Sequence, residues 1–413
     1  MPYQKNLMTA KKSIYLIPFL LLFVNCKSRR VYEKIEFENN YTFNSQIQDK
    51  LAKDTVNWKY QISAGEYAIK GDYRNALEQW DIAFPGKSKT VSQKQIDSVN
   101  AKYTIVPATD YIIERAKKNQ VVIINEAHNN SFHRLFTKGL LEKLYENGYK
   151  NLGLEALTNG ADKDSLLNQR GYPIQESGYY TKDPQFGNLI RTALKIGYTV
   201  FPYEQTSDVN GKEREIEQAQ NIKKILDKNP NEKFIIHCGF DHVLEGNHRN
   251  WGKAMAGRLH EFTGINPLTI NQTKYSERSK SELNDPLLQA LDLKESSILL
   301  QNSNKPLDYE RRESFADIAV LHPTTKYVNN RPNWLFESPK KDIPIKLNNL
   351  DISFPVMVLA YINGEEVDRA VPTDIIEIQN KGDIGYLALE KGGYNIIINN
   401  ELAESLKFEM QVK

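Results

Sequence analysis

The chain has 413 residues, 40% of them apolar, with 54 basic against 52 acidic side chains, as expected of a globular protein of roughly two or three domains. Setting aside Lys5, Lys11 and Lys12, which lie in a leader-like segment, leaves 51 basic and 52 acidic residues. Nothing in that balance gives the basic surplus of a nucleic-acid-binding face, so no nucleic acid is expected as a partner.

The N-terminal stretch orders basic residues, then the apolar run "IYLIPFLLLFV" of 11 residues, then "NCKSRR". The run is shorter than the roughly 20 residues that span a bilayer, but it suits the h-region of an export signal. Residues 1–25 are therefore expected to be a lipoprotein signal peptide and Cys26 the lipidated residue. That places the protein in the bacterial cell envelope, lipid-anchored at the periplasmic face of the outer membrane. Cys238 is the only other cysteine, so a lipidated Cys26 leaves no intramolecular disulfide.

Residues 26–50 are polar and read as a tether. In 51–100, Ala64, Tyr67 and Ala68 form one helical face and Tyr73, Ala76, Leu77 and Trp80 another, with Gly71 between them. This predicts a tetratricopeptide-like helical hairpin, which as a single copy has to pack on something else. From 101 to 345 apolar strands alternate with helical stretches: "VVIIN" (121–125), "NLGLEA" (151–156), "TVFPYE" (199–204) and "FIIHC" (234–238), with helices over 132–147, 185–196, 212–228 and 250–262. Strands apolar on both faces and separated by amphipathic helices predict an α/β core, a mostly parallel sheet with helices on both faces. Residues 346–413 alternate strand-like runs with "GEE", "NKGD" and "GG" turns, which predicts a small antiparallel β module.

The four strands of the core end in reactive side chains. The first ends at Glu126 and His128, the second at Glu155, the third at Glu204, and the fourth at His237 with Asp241 and His242 just beyond. Ligands of open parallel sheets sit outside those carboxyl ends. His133 and Arg134 fall in the first turn of the following helix, where the dipole disfavours cations by about 0.3–1 kcal/mol, so an anionic or oxyanionic ligand would explain them. His237, inside an apolar strand, reads equally as a core histidine, and Cys238 reads as a small buried apolar residue.

"NEAHNNSFHRLF", "LGLEA", "YE", "REIEQAQNI" and "HCGFDHVLEG" resemble the superfamily of erythromycin esterases, ChaN-type haem-uptake proteins and TIKI-type proteases over roughly 101–275. Glu126 and His128 match its acid and histidine, with Asn125 where a Gly is usual and the two-residue spacing of the ChaN form. Arg214, Glu215 and Asn221 resemble the esterase helix motif.

The leading expectation is a hydrolase of ester, lactone or amide bonds in small-molecule substrates. His128 would be the general base on water, Glu126 or Glu155 its orienting acid, His242 a second acid/base and Arg134 the oxyanion stabiliser. His133, Glu204, Arg214, His237 and Asp241 would contact substrate. No Gly-x-Ser-x-Gly elbow is present, which favours water as nucleophile. Water activation by His128 requires no cofactor. If one is bound, the resemblance allows a divalent metal on Glu126, His128 and His242, or haem held without turnover, with a tyrosine of "GYYTKD" (178–183) as a candidate axial ligand.

Overall fold

A computed structural model describes Met1 and residues 30–413 apart from 302 and 338, so the signal peptide and Cys26 lie outside the described residues. The centre of Tyr32–Lys413 is a six-stranded, all-parallel sheet. Its strands are β1 (Val121–Glu126), β2 (Tyr149–Leu154), β3 (Thr199–Pro202), β4 (Lys233–Gly239), β5 (Leu268–Asn271) and β6 (Ile318–Ala319), in the order β6-β5-β1-β4-β2-β3. The helices around it include α1 (Lys59–Ile69), α2 (Tyr73–Ala83), α3 (Ala108–Ala116), α4 (Phe132–Glu146), α5 (Pro184–Ile196), α6 (Lys212–Lys228) and α7 (Met255–Thr263).

Every residue of β1 is buried, as its β-branched run requires of a strand covered on both faces. Val122 and Ile124 join a core with α3, α4 and α5, whereas Val121 and Ile123 join a second core with α6 and α7. The chain moves from β1 to β3 with α4 and α5 on one face, then returns to β4 and β5 with α6 and α7 on the other. Right-handed crossovers require that exchange of faces. The reversal leaves β1 and β4 adjacent at the middle of the sheet, so their carboxyl ends open onto one crevice. Helix α5 shows how locally the sequence sets an element. Asp183 caps it by accepting from the backbone of Gln185 and Phe186, Pro184 starts it, and Gly197 ends it at φ +112°.

The C-terminal part forms a five-stranded antiparallel sheet of β7 (Val356–Ile362), β8 (Asp374–Ile378), β9 (Gly392–Asn400) and β10 (Ser405–Val412), with Glu33–Ile35 pairing against β10 at its edge. A separate two-stranded sheet joins Lys341–Lys346 to Ile384–Leu389. These pairings revise two boundaries. The segment expected as a tether is folded from Glu33 onward. Phe37, Tyr41 and Phe43 cover the face of the sheet that carries Met357, Leu359 and Ile397, and residues 44–53 are already helical. The physical reason is that a sheet with two apolar faces needs a second layer, which this segment supplies. The β module also begins earlier than 346, at Lys341. The helical hairpin is present as α1 and α2, and it packs on this sheet: Lys70 is ion-paired with Glu377, and Gly71 lies against the Ile375 backbone. No helix among the described residues is long and apolar enough to cross a membrane.

Candidate active site

At the end of β1 the Asn125 amide ties three loops together. It donates to Phe240 O (2.7 Å) and accepts from the backbone of Gln272 (2.7 Å). Glu126 is buried, and Arg134 from the first turn of α4 grips both its oxygens at 2.6 and 2.7 Å. The other face of that guanidinium lies 2.8 Å from Asp183, so the caps of α4 and α5 share one buried charge network. Burial alone would raise the pKa of Glu126. Arg134 and the hydrogen bond from His128 outweigh it and hold the carboxyl well below the usual carboxylate range.

His128 Nδ1 is 3.0 Å from Glu126 Oε1. An ionised carboxylate accepts only, so Nδ1 carries the proton and Nε2 keeps a free lone pair. The ring is part-exposed, stacked on Tyr180 (centroids 3.9 Å apart) and edge-on to Phe240 (5.0 Å). It also lies directly over Gly239, where a Cβ would come within 2.5 Å of Cε1. Phe240 itself has φ +37°, a conformation an aromatic residue adopts only where its surroundings impose it. The Asn125 bond to its carbonyl and the ring contact with His128 are what hold it.

The second half of the site lies across Gly239. The Gly239 N–H donates to Glu155 Oε2 (2.6 Å), and Arg214 from α6 donates to Glu155 Oε1 (2.6 Å). Arg214 also donates to Glu204 at 3.0 Å, and Gln218 adds bonds of 3.1 and 3.2 Å to the same carboxylate. His242 Nδ1 is 2.8 Å from Glu215, while its Nε2 is 3.0 Å from Arg214 Nη1 and 3.4 Å from Glu155. In the neutral ring Nδ1–H donates to Glu215 and Nε2 accepts from Arg214. Burial works against a second proton, but Glu155 and Glu215 together raise the pKa of His242 above its ordinary value. Glu155 is shifted down: burial opposes ionisation, and His242, Arg214, His128 and the Gly239 N–H prevail.

The structure thus brings His128, Glu126, Glu155, Glu204, Arg214 and His242 to one edge of the sheet. Four other expected residues have different places. Arg134 is completely buried between Glu126 and Asp183 and touches no cleft, so it cannot be the oxyanion stabiliser; Arg214, 29% exposed, is the guanidinium that can. His133 is buried, accepts from Ala127 N (3.0 Å) and donates to Ser276 (2.9 Å), and burial keeps it neutral, so it fixes the loop rather than binding substrate. His237 is inside the core, edge-on to Phe186, with Nε2 3.7 Å behind Glu126. Asp241 turns away to Arg311 (3.2 Å) and His248 (3.5 Å).

The metal set of Glu126, His128 and His242 does not assemble either. Among the described residues no three His, Cys, Asp or Glu side chains are spaced to hold an ion. Glu126 is committed to Arg134, and both ring nitrogens of His242 are engaged. Sequence reasoning missed Gly239 and Phe240, and it weighed Tyr180 only as a haem ligand. The "HCGFDH" spacing carried a signal for Gly239, since a glycine beside a strand end permits close approach.

No protein family matches this chain, and no curated protein matches it. It is similar to solved structures that include the type III effector HopBA1 (14% identity, TM-score 0.35, covering 54% of this chain and 99% of that one). A structure described as bacterial protein toxins is similar at 12% identity and TM-score 0.32 over 53% of this chain and 48% of that one. RRSP, a MARTX toxin effector domain from Vibrio vulnificus, is similar at 13% identity and TM-score 0.28 over 55% and 47%. The chain therefore spans about half the length of these last two. With no matching family model or curated relative, the resemblance to erythromycin esterases and ChaN-type proteins rests on the sequence motifs alone.

Proposed function

We propose that this protein is a hydrolase of ester, lactone or amide bonds that activates water at the ends of β1, β2 and β4. The observation that carries the reading is the His128–Glu126 pair, 3.0 Å apart, with Glu126 locked ionised by a bidentate arginine and His128 Nε2 left free. Water gives a proton to Nε2 as its oxygen attacks the carbonyl carbon, and Glu126 stabilises the imidazolium that forms. Arg214 faces the oxyanion, which exists only in the transition state and the intermediate. His242 in its protonated form, which Glu155 and Glu215 favour, gives a proton to the leaving group as the carbon–oxygen or carbon–nitrogen bond breaks, and the proton taken by His128 passes through solvent to restore His242. Membership of the esterase, ChaN and TIKI superfamily belongs to the same proposal, because Glu126, His128, Glu155, Arg214 and His242 all lie in its motifs.

The lining favours turnover over haem storage. A haem pocket needs apolar walls, whereas Glu155, Glu204 and Arg214 line this edge and Tyr180 covers one face of His128. The test is to incubate the purified full chain with chromogenic esters, lactones and anilides, with and without chelator. At least one class should be cleaved, at a rate the chelator does not change. Inertness towards every class, together with a stoichiometric haem Soret shift, would sink the hydrolase reading. Envelope anchoring through Cys26 is part of the proposal. Cys26→Ala should move the protein from membranes to the soluble fraction, and an unchanged fractionation would refute it.

A further inference from the structure

The surface next to His128 has a chemistry that water activation does not explain. Phe240, edge-on to His128, is stacked on Trp80 of α2 with centroids 5.4 Å apart and planes 8° from parallel. Through that stack the helical hairpin reaches over to the active-site edge. Trp80, Phe240, Asn129 and the segment after the hairpin wall a recess of about 400 Å³.

The recess is positively charged. Lys87, Lys89 and Lys274 line it, all three are exposed, and none has a carboxylate partner among the described residues. The other cation there, Arg278, is taken up by Asp81. The two acids on the wall are occupied: Glu277 accepts from the Thr325 backbone (2.7 Å), and Asp285 caps Leu287 (2.9 Å).

We propose that this recess holds the non-reacting part of the substrate, and that the substrate class is an ester or amide carrying a planar aromatic group with a negative charge. The ring lies against Trp80 and Phe240, the anion faces Lys87, Lys89 and Lys274, and the reacting carbonyl extends past Phe240 towards His128. The helical hairpin is on this view a specificity element. The assignment rests on the hydrolase reading, but its binding half is measurable without turnover.

The experiment titrates 2-naphthoate, and its neutral near-isostere 2-naphthamide, into the full chain by calorimetry. Naphthoate should bind about tenfold more tightly than naphthamide, and the difference should shrink with added salt. The exposed triple variant Lys87→Ala, Lys89→Ala, Lys274→Ala should erase the preference without altering the circular dichroism spectrum. Trp80→Leu should weaken both ligands about equally. Equal affinity for the two ligands, no binding of either, or an unchanged preference in the triple lysine variant overturns the proposal. Naphthoate binding with the expected preference in a protein that cleaves no ester or amide supports the recess and overturns only the hydrolase reading.

Discussion

Arg134 and Arg214 carry the same charge at the same end of the sheet, yet exposure separates their roles. Arg134 is a buried counter-ion that fixes Glu126, whereas Arg214 is 29% exposed while Glu155, Glu204 and His242 hold it. On the proposed mechanism Arg214→Lys should lower kcat by about 10²–10³ and change KM little, since the oxyanion that Arg214 faces exists only in the transition state and the intermediate. Steady-state kinetics check this, and a rise in KM at constant kcat would assign Arg214 to ground-state binding. His322 gives a prediction about stability. It is buried, donates to Gln272 (3.0 Å), and burial pushes its pKa down to about 3. The unfolded chain binds a proton there below about pH 6.5 that the folded chain refuses, so this residue's contribution is present at neutral pH and is lost as pH falls towards its folded pKa. Between about pH 6 and pH 4 the stability advantage of wild type over His322→Gln should fall by about 1.4 kcal/mol per pH unit. Urea unfolding at several pH values measures it, and parallel curves would contradict it. The sequence revealed which residue types gather at the strand ends. It could not reveal burial, and burial separates His128 from His133 and Arg214 from Arg134.

At the scale of elements the turn from β4 into Phe240 is decisive. Gly239 has ordinary backbone angles (φ −84°), so its requirement is space: a side chain there meets His128 Cε1 and Nε2 at 2.5 and 2.7 Å. Gly239→Ala should push the imidazole off Glu126 and cost about 10²-fold or more in kcat, an effect of misplacement, while the thermal midpoint stays close to wild type. Normal turnover in that variant would mean that His128 does not work from this position. The four strands with continuous apolar runs were legible in the sequence because burial on both faces leaves a strong pattern. The parallel strands Leu268–Asn271 and Ile318–Ala319 left no such mark, because the first alternates apolar and polar residues and the second is two residues long. Helix α7 starts at Met255 rather than near 250, because residues 247–254 form a turn closed by His248 and Gly252.

In the whole molecule the α/β core and the antiparallel sheet are not separable pieces. Arg191 of α5 forms a bidentate pair with Glu365 (2.7 and 2.6 Å), Arg331 pairs with Asp374 (2.6 Å), and Asn188 bonds Thr373 (2.9 and 2.8 Å). Cutting at residue 345 removes these partners and bares the surface they seal, against a whole stability of only about 5–15 kcal/mol for a typical domain. A fragment of residues 101–345 should therefore lack a cooperative thermal transition and be digested by protease at once. A protected fragment with a sharp melt would show that the interface is dispensable. The sequence offered hairpin, core and β module as consecutive units, since contacts such as Lys70–Glu377 between distant segments leave no local pattern.

The comparison of wild type with His128→Ala on whichever ester or amide the full chain cleaves tests the proposed mechanism most directly. His128 is part-exposed and rests on rings rather than inside a core, so the variant should keep its unfolding midpoint and lose about 10²–10⁴ in kcat. A His128→Ala protein that folds normally and turns over at the wild-type rate would contradict water activation at this site.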